Sequence, residues 1–325
     1  MSEVLLTAPY MIPFLERFAP VFRHYGINLI VPNVSERLEE AELLTYAGKF
    51  DGAICGDDRY TRHVIEKSIP RLKVIAKWGT GIDSIDRQAC VDNSVKLLNT
   101  VNAFTLPVAD SVLGYILAFA RQQPWMDKAI KSGVWRKMPG IALSESTLGV
   151  IGVGNIGKAV LKRARGFGTR LLGNDIIPIP DGFLVEYGVV SVNLQTLLSE
   201  SDFVSINCDL NPSSHHLINH DTLGLMKKTA VLVNTARGPI VDESALITAL
   251  QTERIAGAAL DVFEHEPLAQ DSPLLYMDNV LLAPHNSNSS PAAWENVHWN
   301  TIRNLLTGLG IDHEDFDDLQ KTNTR

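Results

Sequence analysis

Short apolar runs alternate with amphipathic helical patterns along almost the whole chain, and this alternation limits the possible folds more than any other feature. Strands that alternate with helices form βαβ units, and the strands of such units lie parallel in one sheet. Because the runs form two series, we expect two α/β domains with doubly wound parallel sheets and a cleft between the domains. The predicted strands of the first series lie at residues 4–7, 29–31, 52–55, 74–78 and 95–98, and those of the second at 148–153, 170–173, 203–206, 230–234, 257–261 and 280–283.

Two long helical patterns flank the second series, at residues 105–123 and 289–310. Ser290 is a suitable cap for the second helix, Pro291 suits its first turn, and Gly308 is expected at its exit. Helices in these places suit the crossings between domains, so that the C-terminal segment completes the N-terminal domain. We therefore predict one domain from residues 1–101 and 288–325, and a second domain from residues 102–287.

The bulk composition argues against several classes of protein. Lys and Arg number 29 against 37 Asp and Glu, a net charge of −8, whereas a general nucleic-acid binder needs a basic surface. The three cysteines are widely spaced, which fits a reducing cytosol and offers neither a disulfide framework nor a zinc site. The N-terminus has no basic region before an apolar stretch, and no apolar run approaches the ~20 residues of a membrane span. We expect a soluble cytoplasmic protein that binds no nucleic acid, membrane or metal. Three histidines could suggest a metal site, but we expect them in an exposed loop: His215, His216 and His220.

A glycine-rich loop lies between a predicted strand and a predicted helix in "TLGVIGVGNIGKAV". Gly152 allows a tight turn, Gly154 lets the backbone approach a pyrophosphate, and Gly157 lets helix and strand pack closely. The free N–H groups of the helix N-terminus then face the phosphates. This arrangement predicts a Rossmann-like dinucleotide site that also includes Asn155 and Ile156; the alternative is a glycine-rich turn with no ligand.

An acidic residue, Asp175, follows at the end of the next predicted strand. A carboxylate in this place accepts hydrogen bonds from the adenosine ribose and repels a 2′-phosphate, which favours NAD over NADP. The alternative is a solvated acid at a strand end.

A permanently charged guanidinium, Arg237, closely follows the apolar run of "AVLVNTARGPIVDE". Burying a charge without a partner costs several kcal/mol, so an acidic group must meet it there. The partner that we expect is a substrate carboxylate; a salt bridge to Asp242 is the alternative.

Three later motifs, "NTARGPIVDESALITAL", "AALDVFEHEP" and "LLAPHNSNSS", join the glycine loop and "WGTGIDSID" in a fixed order. Together they resemble the D-isomer-specific 2-hydroxyacid dehydrogenases, and the phosphoglycerate dehydrogenase branch is the nearest, in a short form without a regulatory domain. The resemblance spans roughly residues 74–306, and it implies that residues 1–101 with 288–325 form the substrate-binding domain and residues 102–287 the NAD-binding Rossmann domain. It implies that Arg237, Glu266 and His285 are the catalytic residues.

The chemistry of such an enzyme requires these residue types. Arg237 would hold the carboxylate of a 2-oxo acid and polarise its carbonyl. His285 would donate a proton to the developing alkoxide, and would accept one in the oxidation direction. Glu266 would hydrogen-bond the other ring nitrogen and fix its tautomer. Taken singly, His285 is better explained as a strand-end histidine and Glu266 as a solvated loop acid. The joint match of the three residues in order and spacing favours the catalytic assignment.

The resemblance implies further contacts. Asp261 would accept the nicotinamide carboxamide, Cys208 would line the adenine side, and Thr235 and Ala236 would also contact NAD. The substrate carboxylate would be gripped by backbone N–H groups of the loop Lys77, Trp78, Gly79, Thr80 and Gly81, where glycines permit close approach.

The chain departs from the family pattern near the substrate. Polar residues follow the histidine, so Asn286 would contact a substrate hydroxyl or phosphate, or cap the next helix. Trp78 is bulkier than expected and would narrow the pocket. Lys77 is compatible with an anionic substituent, and a solvated lysine is the alternative.

Together these features predict an NAD-dependent oxidoreductase for a small D-2-hydroxy acid, with 3-phosphoglycerate/phosphohydroxypyruvate as one candidate pair. The alternatives are a reductase of hydroxypyruvate, glyoxylate or another 2-oxo acid, and, in another class, an NAD(H)-sensing protein that resembles a transcriptional corepressor. Glutamate at position 266 favours a 2-hydroxy acid over formate. The resemblance also implies a homodimer formed through the NAD-binding domain, by an arm at residues 122–145.

Overall fold

The computed structural model describes residues 1–323 and divides into two compact units. The first unit comprises Met1–Ala103 and the segment from Ser290 onward, and the second comprises Phe104–Ser289. Each unit contains a parallel β-sheet with helices, which confirms the predicted pair of Rossmann-like α/β units.

The strands, numbered along the chain, are short and mostly buried. They are β1 (Ser2–Leu6), β2 (Ile27–Ile30), β3 (Gly52–Cys55), β4 (Val74–Lys77), β5 (Lys96–Leu98), β6 (Thr147–Ile151), β7 (Arg170–Asn174), β8 (Val189–Ser191), β9 (Phe203–Ile206), β10 (Val231–Asn234), β11 (Gly257–Leu260) and β12 (Val280–Leu282).

The helices fill most of the connections between strands. They are α1 (Leu15–His24), α2 (Glu40–Leu44), α3 (Arg62–Ser68), α4 (Arg87–Asp92), α5 (Thr105–Ala120), α6 (Gln123–Lys131), α7 (Asn155–Arg165), α8 (Asp181–Tyr187), α9 (Leu194–Glu200), α10 (His220–Leu223), α11 (Glu243–Gln251), α12 (Pro291–Leu309) and α13 (Phe316–Asn323).

The first unit is built on a five-stranded parallel sheet in the order β2-β1-β3-β4-β5. Helix α12 packs on this sheet so closely that Gly308 has no room for a side chain. A Cβ at Gly308 would lie 2.1 Å from Cγ2 of Val74. Helix α12 therefore belongs to the core of the first unit.

The second unit is built on a seven-stranded parallel sheet in the order β12-β11-β10-β9-β6-β7-β8. The chain runs outward from β6 to β8 and returns to β9 on the other side of β6, so strand order reverses between β6 and β9. The sheet is covered on both faces, since neighbouring residues of one strand enter different cores: Leu232 packs with Ile206, and Val233 packs with Val160. The carboxyl ends of all seven strands lie at one edge, and ligands of such sheets bind where the strand order reverses.

Every predicted strand overlaps an observed one, but two local predictions were wrong. The short edge strand β8 was missed because its three residues follow Gly188 in left-handed conformation and carry two exposed side chains. Helix α12 does not exit at Gly308, because Gly310 (φ 71°) provides the left-handed C-cap. Its start is as predicted, with Ser290 Oγ accepting a hydrogen bond from Ala293 N at 3.4 Å.

Among residues 1–323, none of the helices combines the length and apolar character that crossing a membrane requires.

Candidate active site

The glycine loop follows β6 and leads into α7 in the second unit. Gly152 has φ 85°, and a Cβ there would lie 2.4 Å from Cys208 N. Gly157 lies in the first turn of α7, where a Cβ would come within 2.0 Å of Gly152 O. A Cβ at Gly154, by contrast, meets nothing within 4 Å. The fold thus requires glycine at positions 152 and 157, whereas Gly154 leaves open space before the N-terminus of α7. Asn155 and Ile156 are the first two residues of that helix.

Asp175 follows β7 and is bonded to the glycine loop. Its Oδ2 accepts a hydrogen bond from Val153 N at 2.6 Å, and its Oδ1 accepts one from Ile177 N at 2.9 Å. The alternative of a merely solvated acid is therefore wrong. The carboxylate is half-buried beside the backbone that the dinucleotide motif provides.

The turn after β10 is held by a residue that sequence reasoning missed. Asn234 is 1% exposed; its Oδ1 accepts a hydrogen bond from Ala236 N at 3.1 Å, and its Nδ2 donates to Arg237 O at 3.0 Å. The feature of the sequence that could have indicated this role is a polar residue at the end of a buried strand. Within this turn, Thr235 Oγ1 is buried and has no hydrogen-bond partner in the described part of the chain.

Arg237 is half-buried at the end of this turn, and its Nη1 donates to Ala236 O at 2.8 Å. The next residue, Gly238, packs against the backbone of Phe263, because a Cβ there would lie 1.9 Å from Phe263 C. This close approach brings the Arg237 turn beside the segment that contains Glu266. Asp242, the alternative partner of Arg237, caps α11 by accepting a hydrogen bond from Ala245 N at 3.0 Å.

Glu266 and His285 form the predicted pair. His285 Nδ1 lies 2.9 Å from Glu266 Oε2, and Glu266 Oε1 accepts a hydrogen bond from Phe263 N at 3.0 Å. A carboxylate can only accept, so Nδ1 carries the proton of this bond, and Nε2 is the ring nitrogen that does not face Glu266. Glu266 is therefore more than the solvated loop acid of the alternative hypothesis.

The backbone at His285 adopts a left-handed conformation, φ 51°, which is uncommon for a residue with a side chain. The conformation is held by Asp261, which is 1% exposed. Its carbonyl accepts a hydrogen bond from His285 N, and its two carboxylate oxygens accept one each from Asn286 N and Ser287 N, all at 2.8 Å. This carboxylate was predicted to contact the cofactor, and its bonds to the histidine loop were not predicted.

These residues fit an NAD molecule. Gly154 leaves room for a phosphate group, and the buried hydroxyl of Thr235 offers a hydrogen bond at the same edge of the sheet. Cys208 lies against Gly152, and burial raises the pKa of its thiol to about 11, so that it lines the site as a neutral group. The donor set suits a dinucleotide with one acidic residue at the ribose end.

The predicted substrate loop follows β4 in the first unit. Lys77 is only 4% exposed, its Nζ lies 3.0 Å from Asp57 Oδ1, and it donates to Trp78 O at 3.1 Å. The alternative of a solvated lysine is therefore wrong. Asp57 offsets the charge of Lys77, and this partner was not predicted from the sequence.

Trp78 turns away from solvent into the first unit. It is 4% exposed, its ring centroid lies 5.2 Å from Tyr10 and 5.9 Å from Trp294, and its Nε1 donates to His298 Nδ1 at 2.9 Å. The expectation that this side chain narrows the substrate pocket is not supported, because the ring is part of an interior aromatic cluster. Gly79, with φ 117°, makes the turn that follows, and Thr80 and Gly81 are more exposed.

No group of three or more histidine, cysteine or acidic residues with metal-binding geometry occurs within residues 1–323. His215 and His216 stack at 4.1 Å, and His216 Nε2 lies 2.5 Å from Glu264 Oε1. His220 is exposed at the start of α10.

The family model described as "D-isomer specific 2-hydroxyacid dehydrogenase, NAD binding domain" matches residues 113–287. This segment lies in the second unit and contains the glycine loop, Asp175 and the pair Glu266–His285. NAD is accordingly the cofactor of this protein.

The chain is also similar to individual proteins. It is 37% identical over 299 residues to a D-3-phosphoglycerate dehydrogenase of Methanocaldococcus jannaschii, a match that covers 90% of this chain and 55% of that protein. It is 41% identical over 246 residues to a glyoxylate reductase of Korarchaeum cryptofilum, covering 74% of each. The crystal structure of a D-lactate dehydrogenase from Aquifex aeolicus, complexed with NAD and lactic acid, superposes with a TM-score of 0.83 at 25% identity and covers 99% of this chain and 97% of that one. The protein belongs to the D-isomer-specific 2-hydroxyacid dehydrogenase family.

Proposed function

We propose that this protein transfers a hydride between NAD and C2 of a small D-2-hydroxy acid or 2-oxo acid. The observation that carries the proposal is the pair formed by Glu266 and His285, in the same unit as the NAD-binding segment and Arg237. NAD, when bound, accepts or supplies the hydride. The residues of the chain supply the charge and the proton.

Arg237 is proposed to hold the substrate carboxylate. Its planar guanidinium can form two parallel hydrogen bonds with a carboxylate, which fixes the orientation of the oxo acid as well as its position. The turn that carries Arg237 is held by Asn234 and by the packing of Gly238 on Phe263. A cation on a fixed turn is suited to binding and to polarising the adjacent carbonyl.

His285 is proposed as the proton donor in reduction and the proton acceptor in oxidation. Glu266 occupies its Nδ1, so the proton must be exchanged at Nε2. Because the ring is held by Glu266 and the backbone by Asp261, the histidine is oriented before substrate arrives. Preorganisation of this kind lowers the cost of reaching the reactive geometry.

The remaining cofactor and substrate assignments form part of the same proposal. Gly154 and the N-terminus of α7 would face the pyrophosphate, Asp175 the ribose, and Thr235 would donate its hydroxyl. Asp261 would receive the carboxamide on the lone pairs that the backbone N–H groups leave available. The backbone at residues 79–81 would grip the carboxylate.

The charge around Lys77 favours an unphosphorylated substrate. A phosphate carries roughly two charges at neutral pH and needs a cation that is not already neutralised. Lys77 is buried and paired with Asp57 at 3.0 Å. We therefore rank hydroxypyruvate, glyoxylate and similar small 2-oxo acids above phosphohydroxypyruvate.

The test is oxidation of NADH with a panel of 2-oxo acids that includes phosphohydroxypyruvate. Arg237→Ala should lose activity while the dissociation constant of NADH is unchanged, and His285→Ala should lower the rate by about 100-fold or more. Arg170→Ala is the matched control, because Arg170 forms an exposed pair with Glu200 at 2.6 Å and should leave activity unchanged. Loss of NADH binding in Arg237→Ala, or an unchanged rate in His285→Ala, would contradict these roles.

A homodimer is proposed through residues 122–145. Trp135 is 91% exposed, and Ile130 and Val134 are 51% and 45% exposed in the same segment. Large exposed apolar side chains in one segment are typical of an association surface. Light scattering after size exclusion should give a dimer for the wild type and a monomer for Trp135→Glu; a monomeric wild type would refute the proposed dimer.

A cytoplasmic location stays a prediction from cysteine usage.

Neither the matching family model nor the named relatives support the NAD(H)-sensing alternative. It would be favoured only by tight NADH binding together with no turnover of any acid in the panel.

A further inference from the structure

The side chain of Trp78 is tied to helix α12 by one buried hydrogen bond. Trp78 Nε1 donates to His298 Nδ1 at 2.9 Å, and the two residues are 4% and 2% exposed. Trp78 is the residue immediately before the left-handed turn at Gly79. The bond therefore connects the start of the substrate loop to a long helix of the same unit.

His298 is suited to be a permanent acceptor. Its ring packs against Phe14 and Phe18 at 5.5 Å each. Burial lowers the pKa of His298 to about 4; of the charged groups nearby, Glu295 opposes this effect and Arg17 adds to it. At neutral pH the ring is uncharged, so that Nδ1 has a lone pair for the indole N–H.

The same helix also contacts the loop through Asn99. Asn304 Nδ2 donates to Asn99 O at 3.1 Å, and Asn99 Nδ2 donates to Thr80 O at 2.6 Å. Thr100 N donates to Gly79 O at 2.9 Å. Helix α12 thus contacts the loop by two routes, at the side chain of Trp78 and, through Asn99, at the backbone carbonyl of Thr80.

We propose that His298 is a positioning residue, which holds the backbone of residues 78–81 in place for the substrate carboxylate through its bond to Trp78. The proposal rests on the proposed function, which assigns this loop to the substrate. A neutral hydrogen bond of this kind changes an equilibrium constant by about two- to tenfold. Its loss should therefore let the loop open more often and weaken the grip on substrate, while the NAD site of the second unit is unaffected.

The experiment compares four variants. Trp78→Phe removes the donor, His298→Leu removes the acceptor, and His298→Asn keeps an oxygen near the position of Nδ1. Trp299→Phe is the matched control, because Trp299 is a buried indole of the same helix whose Nε1 donates to Glu295 Oε1 at 2.7 Å.

Two quantities are measured on the whole protein: hydrogen exchange of the amides at residues 78–84, and the kinetics of 2-oxo acid reduction. Trp78→Phe and His298→Leu should speed amide exchange and raise KM by about two- to tenfold, with kcat and the NADH dissociation constant unchanged. The double variant should be no worse than either single one, because both remove the same bond. His298→Asn should recover most of the loss, and Trp299→Phe should match the wild type.

Unchanged exchange in His298→Leu would overturn the proposal, as would faster exchange without a change in KM, since the loop would then not serve the substrate. An equal effect of Trp299→Phe would also overturn it by showing a general loosening of the helix. If the wild type reduces no 2-oxo acid, the proposed function fails, and the exchange measurement separately decides whether His298 holds the loop.

Discussion

Replacement of Asp261 by asparagine should release the loop that carries the proposed proton donor. The carboxylate accepts hydrogen bonds from Asn286 N and Ser287 N, both at 2.8 Å, and is 1% exposed. An amide has a single oxygen, so one of the two N–H groups would face an NH₂ group. The substitution therefore removes at least one hydrogen bond to a charged acceptor, a loss of about 1.5–3 kcal/mol.

This loss acts on a backbone that is already unfavourable. His285 has φ 51°, a conformation that costs a residue with a side chain roughly 1–2 kcal/mol. Without its anchor the loop should relax toward ordinary backbone angles and move the imidazole away from its bond with Glu266. A displacement of this kind is expected to lower kcat by about tenfold to 100-fold.

Hydrogen exchange of the amides at residues 285–289 measures the anchoring directly, because local opening is read without unfolding either unit. A loss of about 1.5–3 kcal/mol corresponds to exchange that is about 10- to 150-fold faster. The control is Asp242→Asn in the same unit, since Asp242 caps α11 and asparagine caps a helix as well as aspartate does. Wild-type exchange in Asp261→Asn would refute the anchoring role, and a change confined to the NADH dissociation constant would restrict Asp261 to the cofactor.

Three further outcomes are expected. Gly154→Ala should keep the fold and weaken NADH binding, because a Cβ at Gly154 meets nothing within 4 Å. Gly157→Ala should destabilise the second unit, because a Cβ there would lie 2.0 Å from Gly152 O. Equal thermal stability of the two variants would contradict this difference. Burial lowers the pKa of His298 to about 4 from an unfolded value near 6.5, so its neutral form contributes stability above pH ~6.5. This contribution, up to about 3 kcal/mol, is lost as the pH falls toward 4. Denaturation curves of His298→Asn measured across this pH range should lack that loss of stability. Asp175→Ser should allow use of NADPH by removing the repulsion of a 2′-phosphate, which the ratio of kcat/KM for NADPH and NADH measures; an unchanged ratio would exclude Asp175 from cofactor selection.

The strand pattern was readable from the sequence because buried parallel strands require continuous apolar runs. Every observed strand except β8 overlaps such a run, and β8 has two exposed side chains among its three residues. The pair Glu266–His285 was also predictable, because its residue types occur in long ordered motifs. The partners that hold the site were less accessible: Asn234, Asp57 and His298 act on residues that lie near them only after folding. A single sequence contains no period or spacing that would connect His298 with Trp78.

Lys77 and Trp78 show why contact with a substrate could not be inferred from position in a motif. A loop that grips a carboxylate through backbone N–H groups places demands on its backbone angles, and Gly79 at φ 117° meets them. The side chains of the flanking residues are then not needed for binding. In this chain one of them pairs with Asp57 and the other bonds to His298. The motif therefore specifies where the carboxylate would be held, while the size and charge of the rest of the substrate must be determined by other side chains. Because Lys77 is already paired with Asp57, we rank an unphosphorylated substrate first, and the panel of 2-oxo acids tests that ranking.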